Sequence, residues 1–230
     1  MKNIFIFLIL TLTTISNSIF SQELAKNILL KSGEFTLTAK INLSFINTEL
    51  VNGNFYRFMQ FSEIPSETEK NILVENGIQF LEYIPYNTYL VSVSSNFTAV
   101  NKLKEYNVVS LQRILPKQKI DPKLQNGKCP EWALNKNMVS IKVILYKNIS
   151  MDFILNDITQ KRYSILETNI TAQNIVLNVE LFNISQVSEL PYVSFIEPID
   201  PPSFPENKTG RTLHRSNAIN VEYTSGRHYN

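Results

Sequence analysis

Tyr106 to Leu115 reads YNVVSLQRIL, and Leu190 to Ile199 reads LPYVSFIEPI. Setting Val109-Ser110 on Val193-Ser194 gives an offset of 84 residues (193 − 109), and the elements upstream fall into step. In the first copy, the run Phe55 to Phe61 reads as a strand. It leads into Pro65 and the capping box Ser66-x-x-Glu69, which opens a helix that Asn76-Gly77 should end. Ile78 to Ile84 resumes as a strand and Pro85-Tyr86-Asn87 makes a turn. Tyr89, Val91 and Val93 then alternate with Leu90, Ser92 and Ser94, the period of two that sets one strand face on a core. Phe97, Val100 and Leu103 space a short second helix, and Val108 to Leu115 closes the unit as a strand.

The second copy keeps this order. Val139, Ile141, Val143 and Leu145 line one face of a strand, and Met151, Ile154, Leu155 and Ile158 take the i, i+3, i+4, i+7 spacing of an amphipathic helix. Tyr163 to Glu167 and Ile175 to Leu181 follow as strands, Asn183 to Leu190 as a short helix and Tyr192 to Glu197 as the last strand. An order βαββαβ found twice predicts an α+β chain of two tandem ferredoxin-like subdomains, each with both helices on one face of an antiparallel sheet.

These readings divide the chain into a signal peptide at 1–21, an N-terminal extension at 22–52, subdomains at 53–117 and 138–199 separated by a linker at 118–137, and a proline-rich connector at 200–212 before a last segment, 213–230. The leader has a basic start at Lys2, an apolar run from Ile4 to Leu10 and small residues at Ser18 and Ser21. Threonines dilute that run below what a membrane span needs, so the expectation is a secreted protein, extracellular or periplasmic, with no membrane attachment after cleavage. Residues 22–52 give mixed signals, and Trp132 in the linker is expected to pack one subdomain on the other.

A chain that is 43% hydrophobic and 18% charged should fold around a packed core, and a net charge of +2 argues against a nucleic-acid or anionic-membrane partner. With one cysteine, Cys129, no intrachain disulfide can form, and with two histidines, His214 and His228, a His/Cys zinc cage has no support. Both histidines lie past the proline connector, and no Gly-x-Ser-x-Gly elbow, phosphate-cradling loop or dinucleotide fingerprint occurs, so catalytic residues and cofactors are both expected to be none. Glu63, Glu67 and Glu69 sit where acids offset a helix dipole. Arg57, between Tyr56 and Phe58, lacks the rest of an RNA-binding motif and reads as a sheet-face residue with a local acidic or carbonyl partner.

Several short runs nevertheless match one family in order along nearly the whole chain. They are Tyr56 to Phe61, Leu81 to Pro85, Pro130-Glu131-Trp132, Phe195 to Pro198, Gly210 to Asn217 and Gly226 to Asn230. Together they resemble the pro-region, and its junction with the catalytic domain, of secreted bacterial subtilisin-like serine peptidases. The resemblance implies an intramolecular chaperone and inhibitor whose partner is a subtilisin-like catalytic domain, in cis or in trans. Residues 213–230 would then be the start of a truncated catalytic domain, with the triad aspartate following Asn230, and no residue here carries over as catalytic. It also implies an inhibitory tail and processing connector at Pro201, Pro202, Pro205 and Arg211. The competing expectation is a secreted tandem binding or adhesion module with no peptidase partner.

Overall fold

The computed structural model describes residues 26–202, so the leader, Pro205, Arg211, His214, His228 and the segment 213–230 lie outside the described residues. Within them the chain is mixed α+β with antiparallel sheets. A hairpin of β1 (Asn27–Leu30) and β2 (Gly33–Thr36) precedes the first unit, which runs β3 (Asn54–Phe61), α1 (Glu67–Glu75), β4 (Ile78–Ile84), β5 (Thr88–Ser94), α2 (Val100–Glu105) and β6 (Val108–Arg113). A two-residue strand, β7 (Leu134–Asn135), leads into the second unit: β8 (Met138–Leu145), α3 (Met151–Gln160), β9 (Ser164–Asn169), β10 (Asn174–Glu180), α4 (Ile184–Glu189) and β11 (Val193–Pro198). The strand orders are β4-β5-β3-β6 and β9-β10-β8-β11, which is one order occurring twice.

Local chemistry explains the boundaries. The Ser66 hydroxyl accepts from the Glu69 amide while the Glu69 carboxylate accepts from the Ser66 amide at 2.7 Å, so two amides that the helix leaves free are satisfied at the start of α1. The helix stops at Asn76-Gly77, where Gly77 takes a φ of +93° that a side chain would strain. Leu73 of α1 and Leu103 of α2 join Met59, Phe61, Val91, Val93 and Leu111 in one core, so both helices cover the same sheet face. In the second unit Ile154, Ile158 and Val187 pack likewise on Val139, Ile141, Val143 and Leu145.

The register refines the duplication. Val108 pairs with Phe61 and Ser110 with Gln60, leaving Val109 as a bulge; Val193 pairs with Leu145 and Phe195 with Ile144, leaving Ser194 as a bulge. Val109 and Val193 therefore lie in equivalent final strands, but the structural counterpart of Val193 is Val108, an offset of 85 (193 − 108) against 84 (138 − 54) for the first strands. A second bulge recurs too: Leu81 is skipped between the pairs Phe80–Val91 and Glu82–Leu90, and Leu166 between Ile165–Leu177 and Glu167–Val176.

The correspondence continues upstream of β3 and β8. Ile41 makes a parallel bridge to Leu111, and Ile120 makes one to Ile196, so each final strand has its outer edge covered by chain that precedes its own unit. Val51 pairs with Asn54 across the turn Asn52-Gly53, as Asn135 pairs with Met138. Asn52 and Gly53 both have positive φ, the conformation that tight hairpins favour.

The first sheet is covered on both faces. Tyr56, Phe58, Ile84 and Leu90, opposite the helices, join the same core as Ile28, Leu37, Ile120 and Tyr146. That is why β5 is buried from Thr88 to Val93 instead of alternating: its second face meets the hairpin and the second unit rather than water. Tyr56 stacks on Tyr146 with centroids 3.7 Å apart, and the Tyr56 hydroxyl donates to Asn148 Oδ1 at 2.6 Å. The hairpin straddles the junction. Its Lys26 amide donates to Gln60 Oε1 at 3.0 Å, and the Ser32 hydroxyl donates to the Gln118 carbonyl at 2.7 Å.

Candidate functional site

Two features of the second unit bear on the expected tail. The face of its sheet away from the helices is open in part and mixed in polarity: Ser140, Lys142, Val176, Asn178 and Glu197 on it are half-buried, whereas Phe195 on the same face is buried, with Lys31 of the hairpin 5.6 Å from its ring centroid. The chain leaves β11 along this face. The Ile199 amide donates to the Ser140 carbonyl at 3.4 Å, and Lys142 pairs with Asp200 at 2.8 Å and with Glu197 at 3.5 Å. Pro201 and Pro202 are then exposed and outside any helix or strand.

Trp132 corrects its expected role. It is half-exposed, and its indole N–H donates to the Ile199 carbonyl at 3.0 Å, so it pins the exit of β11 rather than packing one unit on the other. The stacked Tyr56–Tyr146 pair joins the units directly, beside Asn148, which accepts from Tyr56 and donates to Gln79 at 3.1 Å. An apolar groove of about 1110 Å³ lies between the linker and α4, lined by Leu115, Leu124, Leu134 and Phe182 among others.

Arg57 is 2% exposed and has both kinds of partner its position suggests. Its Nη1 donates to the Tyr56 carbonyl at 2.8 Å, and its Nη2 lies 2.7 Å from Glu49 Oε2. Its guanidinium carbon lies 5.4 Å from the ring centroids of both Phe45 and Phe55. Arg113, at the end of β6, pairs with the other oxygen of Glu49. Burial lowers the Arg57 pKa, and the Glu49 carboxylate opposes that shift.

These groups border a cleft of about 560 Å³ between the units. On its far side Asp157 accepts from the Tyr192 hydroxyl at 2.6 Å and pairs with Lys161 at 2.7 Å. Lys119 lines it as well, 6% exposed, and among the described residues its ammonium donates only to the Leu190 carbonyl, at 3.4 Å. Burial pulls its pKa down from the ordinary 10.5 to about 8.

Among the described residues no group of three or more His, Cys, Asp or Glu side chains could hold a metal ion, and no helix is long and apolar enough to cross a membrane. Residues 29–116 match a domain family of unknown function, DUF8729. The matched stretch runs from β1 through β6 and leaves the second unit outside it. No curated protein and no solved structure matches the chain.

Proposed function

We propose that the chain is the pro-region of a secreted subtilisin-like serine endopeptidase, acting as intramolecular chaperone and inhibitor of the catalytic domain, with two tandem ferredoxin-like subdomains. The repeated strand order, with both helices on one sheet face, supports the subdomain assignment. The observation that carries the functional reading is the partly open sheet face of the second unit, with the chain leaving beside it at Pro201-Pro202, exposed and outside any helix or strand. The ordered run of family-like motifs adds to it. A sheet face offers a docking surface, and an extended tail can add itself to a substrate cleft as a strand and block it until cleavage. A subtilisin-like domain folds around a parallel sheet whose pairings are distant in sequence and slow to form, so a partner that binds the native-like state favours it by mass action.

Inhibition constants against the cognate catalytic domain test this. Deletion of 201–212 should weaken inhibition at least tenfold with little change in fold, because Ile199 and Asp200, which hold the last contacts to the second unit among the described residues, are retained. Equal potency with and without that tail would show that the cleft is not what it occupies. Absence of any binding would favour the adhesion-module reading.

A further inference from the structure

The cleft between the units holds a charge imbalance that the fold does not use. Arg57, Arg113 and Lys119 share it with Glu49, and each Glu49 oxygen already faces one arginine. Lys119 is left without a carboxylate within 4 Å among the described residues, although it is 6% exposed. The other charged groups of the cleft do not correct this. Asp157 and Lys161 pair with each other, and Glu189 is exposed at the rim. A buried ammonium with one long hydrogen bond is costly, and a packed apolar side chain in its place would be cheaper. A group kept at such a cost at the wall of a cavity is a binding-site candidate.

We propose that this cleft binds a small organic carboxylate, with the carboxylate group against Lys119 and Arg113 and an apolar body along Phe153, Leu50 and Pro191. The inference is independent of the peptidase reading. Its volume of about 560 Å³ is that of a small-molecule pocket, and the cleft lies at a junction between units where such pockets concentrate. Arg113 is half-exposed, so its guanidinium can turn a free edge to the ligand while keeping Glu49. The Leu190 carbonyl, just past the end of α4, already accepts from the Lys119 ammonium at 3.4 Å, and an anion on its cleft side would give the ammonium a second, charged partner.

Calorimetric titration of the whole chain with 3-phenylpropionate tests the site. Saturable binding of one molecule per chain is expected, with 3-phenylpropanamide and inorganic phosphate each at least tenfold weaker. Lys119→Met and Arg113→Gln should each weaken the acid at least tenfold, and the half-exposed position of Arg113 makes its variant safe for folding if Lys119→Met proves unstable. N-acetylphenylalanine separates two sources of the carboxylate: tighter binding than 3-phenylpropionate assigns a peptide C-terminus, weaker binding a free acid. Equal binding of the acid and its amide, unchanged binding in both variants, or no heat at millimolar acid would overturn the proposal.

Discussion

Leu111 and Ile196 occupy the same rung of two sheets, and each is the point at which chain preceding its own unit bridges, in parallel, to the unit's final strand. The Leu111 amide donates to Lys40 at 3.1 Å and the Ile196 amide to Lys119 at 2.7 Å, so both outward-facing amides of these edge strands are satisfied. Two matching bulges and two matching bridges make the duplication a property of the backbone, even where side chains have diverged. Hydrogen exchange should find both amides as slow as those of the central strands β3 and β8. Fast exchange at either would show that its bridge does not form in solution.

The contact between units makes a second expectation. Tyr146→Ala removes the ring stacked on Tyr56 and a buried aromatic volume, at a cost of about 3–5 kcal/mol. Tyr56→Phe keeps the stack and loses only the 2.6 Å bond to Asn148, at a cost of about 1 kcal/mol. Urea unfolding followed by tyrosine fluorescence and by circular dichroism should give coincident transitions in the native chain and in Tyr56→Phe. They should separate in Tyr146→Ala, where the units lose their main coupling. Coincident transitions there would place the coupling in the hairpin instead.

Arg57 and Glu49 form a pair whose members are not interchangeable with neutral groups one at a time. Glu49→Gln leaves the Arg57 guanidinium buried without its counter-charge and should destabilise by about 3–5 kcal/mol. Adding Arg57→Met to Glu49→Gln should recover most of that loss, since Phe45 and Phe55 already provide an apolar wall. A double variant as unstable as Glu49→Gln alone would mean that Arg113, the second partner of Glu49, is the dependent group.

Legibility in the sequence followed the range of the interactions. The Ser66–Glu69 box and the alternation of β8 act within one element, and both stand in the structure where the pattern puts them. An acidic or carbonyl partner for Arg57 could be expected because a buried guanidinium demands one, but Glu49 could not be named: it reaches the sheet from a short turn with no periodicity. The bridges at Ile41 and Ile120 are single residues long and leave no pattern, which is why 22–52 read as mixed and 118–137 as mere linker. The cleft is harder still. Lys119 and Leu190 meet there from 71 positions apart, and only the packing of two units buries the lysine.

The buried Lys119 and the tyrosines predict how stability varies in alkaline solution. Lys119 is charged in both folded and unfolded chains below its folded pKa of about 8, so the cost of its burial is fully present at neutral pH. Between about 8 and the ordinary 10.5 the unfolded chain binds more protons than the folded one, and stability rises with pH. Tyr56 works in the opposite sense. Burial raises its pKa from 10.0 to about 12, and Tyr146 and Tyr192 are pushed up as well, so above pH 10 the unfolded chain ionises while the folded one holds its protons and stability falls. Urea midpoints measured from pH 7 to 11 should therefore climb above about 8, peak near 10 and decline. Lys119→Met should be more stable at pH 7, by on the order of 2–3 kcal/mol, and should lose the rise while keeping the decline. A rise that persists in Lys119→Met would assign it to another group, and a flat profile in the native chain would show that Lys119 is hydrated rather than buried.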